Sequence, residues 1–190
     1  MPRNETSVPI QPVLADRWSP RGFDDQHVIT REQLTPAFEA ARWSASANNK
    51  QPWSFIVGLR GDKTFETIAK HLMNFNAAWA PAASALVVNV VHPVDADGKE
   101  NPFAYYDLGQ AAAHFSVQAH ADGFVVHQIA GVEKDALAAD LGITDTERIF
   151  TVTVVGVPAT DRSRVPEAIN ERDAMPRHRK PLDEVVSFPG

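Results

Sequence analysis

Short apolar runs along the chain predict a small number of buried strands. Ala85–Val91 is almost continuously apolar and β-branched, and so is the stretch over residues 149–156, a pattern typical of strands covered on both faces. Residues 53–57 form a third run, and Pro52 directly before it cannot continue a preceding helix. Residues 182–188 regain a strand-like character, so the pattern predicts a further short strand near the end of the chain.

Helical spacing predicts three helices before and between these strands. Thr30 followed by Gln33 is a capping pattern that predicts one helix N-terminus, and Asp62 predicts another. The longest predicted helix begins at the N-cap Asn101, has proline in its first turn, and stops at Gly123. Between these two positions apolar residues keep helical spacing: Ala104, Leu108, Ala111, Phe115 and Ala119.

Together these elements predict one α+β domain. The chain has 190 residues, 44% of them hydrophobic and 22% charged, which is enough for one sizeable core and argues against disorder. Residues 1–16 show no periodicity and are interpreted as a flexible lead-in to a single domain over residues 17–190. Residues 157–181 are polar, charged and rich in proline, so the segment over about 157–190 is interpreted as an arm that crosses onto a partner subunit.

Charge and composition then narrow the function classes. A formal net charge of −6 provides no general attraction to nucleic acid or to an anionic membrane. The absence of cysteine excludes disulfides, thiolate metal sites and cysteine nucleophiles. The first residues lack an apolar signal core, and the most apolar stretch, residues 77–91, is interrupted by polar residues and proline. We therefore expect a cytoplasmic protein with neither nucleic acid nor membrane as a partner.

Several common catalytic motifs are absent from the sequence. There is no G-x-x-x-x-G-K-[ST] phosphate loop and no G-x-S-x-G nucleophile elbow. Residues 58–61 lack the third glycine of a dinucleotide fingerprint and are interpreted as a turn. The seven histidines show no metal-binding spacing, so each is interpreted as a packed or surface residue.

Basic and neutral polar residues recur at three places in an unusual order. Arg17 and Arg21 flank Ser19, and guanidinium groups at this spacing can converge on one phosphate dianion. A second basic cluster, residues 177–180, lies near the other end of the chain; taken alone, either cluster is more simply explained as solvated surface. Residues 46–51 supply serine and amide side chains that suit the edge of a heteroaromatic ring or a polyol, although a plain loop also contains such groups.

That order of motifs resembles the nitroreductase family of FMN-dependent oxidoreductases. The matching residues of the first motif are Arg17, Ser19, Arg21 and Phe23, and those of the second are Ser46, Asn49, Gln51, Pro52 and Trp53. The family's central helix and glycine turn correspond to residues 107–109 and 121–124, and its C-terminal signature corresponds to residues 179–186. The similarity extends over nearly the whole chain, from about Arg17 to Phe188.

The resemblance implies a central mixed β-sheet flanked by helices, a homodimer with an exchanged C-terminal arm, and FMN sites at the subunit interface. It places one group of residues around the phosphate and ribityl chain: Arg17, Trp18 through its backbone, Ser19, Arg21, Arg177 and Arg179. It places a second group around the flavin ring: Ser46, Ala47 and Asn49 from the other subunit, together with Asn76, Ile129, Ala130 and Gly131. Trp79 stands where some members of the family carry a basic residue.

The implied activity is hydride transfer from NADH or NADPH through flavin N5 to a small oxidised acceptor, such as a nitroaromatic or a quinone, by a ping-pong mechanism. No side chain is assigned as a general acid and no metal is expected. Two alternatives remain open from the sequence: a flavin-binding carrier or sensor without turnover, and a relative that uses FMN for dehydrogenation. A pseudo-enzyme that has lost FMN is disfavoured by the retained arginines.

Overall fold

A four-stranded antiparallel sheet forms the centre of the molecule. The computed structural model describes residues 4–95 and 97–189, and its strands are β1 (Trp53–Leu59), β2 (Ala85–Val91), β3 (Val125–Ile129) and β4 (Arg148–Gly156). Their spatial order is β1-β2-β4-β3, and every neighbouring pair is antiparallel. The expectation of a mixed sheet is therefore corrected: all three pairs of neighbouring strands in the described sheet are antiparallel.

In the described part of the chain six α-helices accompany the sheet: α1 (Pro12–Asp16), α2 (Arg31–Arg42), α3 (Lys63–Lys70), α4 (Ala104–Ala121), α5 (Lys134–Leu141) and α6 (Glu167–Ala174). The sequence-based predictions of α2, α3 and α4 are confirmed, while α1, α5, α6 and strand β3 were not predicted. Within the described residues no helix is both long enough and apolar enough to cross a bilayer.

Each face of the sheet carries its own apolar layer because alternate β2 side chains point to opposite sides. Leu86 and Val88 pack with residues of α3, α5 and α6 in one layer. Ala85 and Val87 pack with residues of α2 and α4 in the other. All seven residues of β2 are buried, which confirms the prediction of a strand covered on both faces.

Side-chain caps fix where the predicted helices begin. The Thr30 hydroxyl accepts a hydrogen bond from the Gln33 N–H at 3.3 Å, and the Gln33 side chain accepts one from the Thr30 N–H at 2.8 Å, a complete capping box. The predicted start of α4 at Asn101 is corrected: Asn101 accepts from the Phe103 N–H at 3.2 Å in a turn that precedes the helix. Gly123, with φ of +91°, follows the end of α4 as predicted.

The two ends of the chain differ in part from expectation. Residues 4–16 of the predicted lead-in include the short helix α1, whose Ala15 is buried, whereas residues 1–3 lie outside the described part. The predicted strand over 182–188 is wrong for the described chain: it contains a three-residue 3-10 turn, Leu182–Glu184, and no strand. A strand needs a ladder partner, and the tail pairs with no strand of its own chain. Phe188 is 91% exposed.

A close approach of α3 to β1 requires glycine at position 58. A Cβ atom placed on Gly58 would lie 2.4 Å from the Phe65 amide nitrogen and 2.5 Å from its Cα, and both are backbone atoms that cannot rotate away. We expect Gly58→Ala to reduce the free energy of unfolding by about 2–3 kcal/mol through overpacking, measured by urea denaturation. The control Glu66→Gln, at an exposed position of α3, is expected to change it by less than about 0.5 kcal/mol; equal values for the two variants would contradict the packing argument.

Candidate functional site

The N-terminal loop, residues 17–23, is fastened to the β3 edge of the sheet. The His127 ring lies 2.9 Å from the Pro20 carbonyl oxygen through Nδ1, and because a carbonyl can only accept, Nδ1 carries the proton. Phe23 forms an isolated β-bridge with Pro158, just beyond β4. These contacts hold the loop from β3 on one side and from the chain beyond β4 on the other.

A basic cluster, defined as Arg17, Arg177 and Arg179, forms where the two ends of the chain meet. Arg17 donates to the Ser19 hydroxyl at 3.3 Å, and the Arg177 guanidinium lies 5.6 Å from the centre of the buried Trp18 ring. Burial lowers the pKa of Arg17 below its ordinary value, and the positive charges of Arg179 and Arg177 lower it further. A partly buried guanidinium beside two like charges is a site that an anion would stabilise.

An open cleft of about 780 Å³ borders the basic cluster. Trp18, Arg177 and His178 line one part of it, and Asp173 and Met175 line another. Through Arg177 and Trp18 the cluster borders a space large enough for a small ligand. The structure brings together five of the six residues predicted for the phosphate and ribityl chain, namely Arg17, Trp18, Ser19, Arg177 and Arg179, whereas Arg21 lines a different cavity and approaches Asp173 through its backbone. The Arg21 N–H donates to the Asp173 carboxylate at 2.9 Å.

Asn76 and residues 129–131 meet at the end of β3. The Asn76 amide nitrogen lies 3.4 Å from the Gly131 carbonyl oxygen, and a Cβ on Gly131 would come within 2.6 Å of the same nitrogen. Ile129 is the last, buried residue of β3, and Ala130 is exposed beside it. Four of the residues predicted to lie near the flavin ring are therefore neighbours, and glycine at 131 is what permits the approach.

Trp79 belongs to the core and does not replace a basic surface residue. It is 2% exposed, stacks on Phe23 with ring centres 6.0 Å apart and packs on His127 at 4.9 Å. Its indole N–H is buried and has no hydrogen-bond partner among the described residues. Trp79 thus supplies neither a charge nor an exposed donor here.

The polar turn, residues 46–51, adopts a strained backbone. Asn48, Asn49 and Gln51 all lie in the left-handed region, with φ of +53°, +55° and +49°, where asparagine is tolerated better than most residues. The Ser46 hydroxyl accepts from the Gln51 N–H at 3.0 Å, and the buried Asp107 of α4 accepts from the Ala47 N–H at 3.1 Å. Strain that is held by several contacts is characteristic of functional sites.

Within one chain the polar turn and the N-terminal loop are far apart. Trp53, directly after the polar turn, is level with Arg148 at the start of β4, whereas Pro20 lies beside His127, whose partner on β4 is Val154. At about 3.3 Å per residue and about 4.8 Å per strand spacing, the offset is roughly 20 Å along the strands and roughly 14 Å across them. By these spacings Trp53 and Pro20 lie about 24 Å apart within one chain.

Sequence reasoning missed three residues that hold the motifs in place: His127, Asp107 and Asp173. His127 carried no metal-binding spacing and was interpreted as a packed or surface histidine, while Asp107 was noted only as part of the long helix. Asp173 lies on α6, inside a segment whose charged and proline-rich composition concealed the helix. A side chain that bonds to the backbone of a distant loop leaves no local pattern in the sequence.

The sequence is similar to that of known proteins. The profile of the Nitroreductase family matches residues 14–90. An uncharacterised 15.4 kDa protein of Mycolicibacterium smegmatis is 37% identical over 140 residues, which cover 70% of this chain and 92% of that protein. An oxygen-insensitive NADPH nitroreductase of Helicobacter acinonychis is 38% identical over 76 residues, which cover 40% of this chain and only 35% of that enzyme.

The solved structure of an oxidoreductase containing FMN is similar over almost its full length. It superimposes with a TM-score of 0.90 at 31% sequence identity, and the match covers 98% of this chain and 94% of that one. At this level of similarity the likeness includes the arrangement of helices around the sheet, so the α+β fold expected from the sequence is confirmed.

Protonation of His127 is expected to destabilise the fold. Burial lowers the pKa of His127 below its ordinary value of 6.5, so the unfolded chain binds this proton at a higher pH than the folded chain does. The stability that His127 contributes is present above about pH 6.5 and is lost as the pH falls below it. We expect His127→Gln, which keeps a donor for Pro20, to lose less Tm than the wild type between pH 7 and pH 5.5. His178→Gln, at an exposed position, should leave the loss unchanged; an unaltered pH dependence in His127→Gln would contradict the assignment.

Proposed function

The chain belongs to the nitroreductase family and is an FMN-dependent oxidoreductase, and we propose that it acts by a ping-pong mechanism on small oxidised acceptors such as nitroaromatics or quinones. When bound, FMN supplies the chemistry, accepting a hydride from NADH or NADPH at N5 and passing reducing equivalents to the acceptor after the nicotinamide has left. The residues of this chain bind and orient the cofactor.

The observation that carries this proposal is the basic cluster. Three guanidinium groups from the two ends of the chain lie close together, one of them, Arg177, lining a cleft. Burial, and after it repulsion from the charges of Arg179 and Arg177, lower the pKa of Arg17. A phosphate monoester with two negative charges would relieve that repulsion and accept several charge-assisted hydrogen bonds. We assign Arg17, Ser19, Arg177 and Arg179 to the phosphate and ribityl chain of FMN, with the backbone of Trp18 and the loop at Arg21 beside them.

The flavin ring is proposed to lie along the end of β3. Asn76 presents an amide there, and the exposed Ala130 and the approach at Gly131 leave backbone groups accessible beside it. Because Trp79 is buried in the core, no cation is assigned to that side of the ring, and stabilisation of negative charge falls to neutral donors.

We further propose a homodimer in which the polar turn of one subunit completes the flavin site of the other. Trp53, directly after the polar turn, is level with Arg148, and Ile129 at the end of β3 pairs with Val152. Strand spacings therefore put about 20 Å between them in one chain, which is too far for direct contact of Ser46, Ala47 and Asn49 with a ring beside their own β3. The tail over residues 175–189 carries exposed apolar side chains, including Val185 and Phe188, which suit an arm packed on a partner. On this proposal residues 17–190 form one FMN-binding domain with an exchanged C-terminal arm.

The first experiment is a visible absorption spectrum of the purified protein during anaerobic addition of NADH and then of NADPH. We expect a flavin band, retained or restored by added FMN, that bleaches with one donor and recovers when a quinone is added. A band that persists with both donors would identify a flavin carrier rather than a reductase. A protein that binds no FMN even when soaked with it would overturn the proposed site.

Mixing two defective variants tests whether the site is shared between subunits. Arg17→Ala removes a charged phosphate contact worth about 1.5–3 kcal/mol and should weaken FMN retention, whereas Arg31→Ala, at an exposed position of α2, should not. Asn49→Asp keeps a residue type tolerated in the left-handed region but replaces both amide donors by a carboxylate, and should also lower activity.

After co-refolding of Arg17→Ala with Asn49→Asp in equal amounts, half of the randomly formed dimers are mixed and each mixed dimer contains one intact site. Activity should therefore recover to about a quarter of the wild-type value, as expected for an isologous two-fold dimer. Activity equal only to the mean of the two variants measured separately would mean that both motifs serve the same subunit's site or that no such dimer forms.

A further inference from the structure

Asp173 forms a buried junction between the N-terminal loop and helix α6. Its side chain is 2% exposed, and its two oxygens accept hydrogen bonds from the Arg21 N–H and the Gly22 N–H, both at 2.9 Å. The Arg162 guanidinium, 3.1 Å from one of these oxygens, supplies the compensating positive charge. A carboxylate held by two backbone donors and one guanidinium has a single well-defined position.

This junction lies midway between the two halves of the basic cluster. Arg17 is four residues before Arg21 on the loop, and Arg177 is four residues after Asp173, just beyond the end of α6. Guanidinium groups only donate hydrogen bonds, so Arg17 forms none with the two tail arginines, and the like charges repel each other. The contact of Asp173 with Arg21 and Gly22 thus ties the loop to α6, and the packing of Arg177 on Trp18 brings the tail against the same loop.

Gly22 makes room for the same junction. A Cβ atom at Gly22 would lie 2.4 Å from the Arg162 Nη1 atom and within 2.9 Å of two further guanidinium atoms. Arg162 therefore reaches Asp173 across a position that has no side chain. The arrangement depends on residues from the loop, from α6 and from the turn before α6. A single substitution at Gly22 or Asp173 therefore tests the contact between the loop and α6.

We propose that Asp173 is a positioning residue for the cofactor's phosphate: by clamping the loop at Arg21 and Gly22 to α6, it holds Arg17 against Arg177 and Arg179. This inference rests on the proposed assignment of the basic cluster to the phosphate of FMN. The inference predicts a selective loss of affinity. Removing the clamp should weaken the binding of FMN and leave the binding of riboflavin unchanged, because riboflavin has the same ring and ribityl chain but no phosphate.

The test is the dissociation constant of FMN and of riboflavin, measured by flavin fluorescence quenching with the wild type and with Asp173→Asn. The amide keeps the shape of the carboxylate but loses its charge and presents an N–H to one of the backbone donors. We expect FMN binding to weaken at least tenfold and riboflavin binding to change less than twofold. The control Glu167→Gln, an equal charge change at an exposed position of the same helix, should leave both constants unchanged.

A second variant keeps the inference testable if Asp173→Asn does not fold. Gly22→Ala leaves every charge in place and displaces the flexible end of Arg162 from Asp173, so a smaller loss in the same direction is expected, again for FMN and not for riboflavin. Equal losses for both flavins would show that Asp173 merely supports the fold. An unchanged preference for FMN in both variants would also overturn the inference.

The flavin dissociation constants of the wild type distinguish a failure of this inference from a failure of the proposed function. If the wild type binds FMN and riboflavin equally well, the phosphate assignment of the basic cluster is wrong and the proposed site fails with it. If it prefers FMN and the variants keep that preference, the site stands and only the positioning role of Asp173 is refuted.

Discussion

Repulsion among three guanidinium groups is the constraint on which the proposed site depends. Arg17, Arg177 and Arg179 come from opposite ends of the chain, and burial together with the neighbouring charges lowers the pKa of Arg17. Such a cluster does not form by attraction between its members, so other contacts must hold it together. They include the buried Asp173, which binds the backbone of the loop, His127, which donates to Pro20, and the packing of Arg177 on Trp18. The fold thus maintains a concentration of positive charge that a bound dianion neutralises.

Similar hydrogen bonds to backbone N–H groups hold the polar turn at the other edge of the sheet. Its left-handed residues are unfavourable in isolation, and they persist because Ser46 and the buried Asp107 accept hydrogen bonds from the turn's own backbone. In both motifs a buried carboxylate on a helix fixes the backbone of a loop whose remaining groups stay accessible. The helices therefore define the geometry, while the loops present the donors.

How much of this could be predicted from the sequence differs between the fold and the site. Strand β2 was predicted within its full bounds because a strand buried on both faces is apolar at every position. Helix α2 was predicted because its capping box is local in sequence. The strand β3 is short and interrupted by His127 and Gln128, and α6 has few apolar residues, so neither produced a clear period. Asp173 could not be found, since its role arises only when α6 packs against a loop from the other end of the chain.

The distance between the two motifs links cofactor binding to assembly. If each flavin site takes its phosphate contacts from one subunit and its polar turn from the other, a bound cofactor contacts both subunits at once, and its binding free energy also stabilises the dimer. The reverse also holds by thermodynamic reciprocity: a monomer offers the arginines and the β3 edge but not the polar turn, so it binds the cofactor less tightly than the dimer does. The tail over residues 175–189 contains Arg177 and Arg179 as well as the exposed Val185 and Phe188, so on this proposal the phosphate contact and the assembly contact lie on the same segment. Loss of the arm would then remove both functions together, which is why the basic residues and the apolar residues of the tail are best understood as one structural unit.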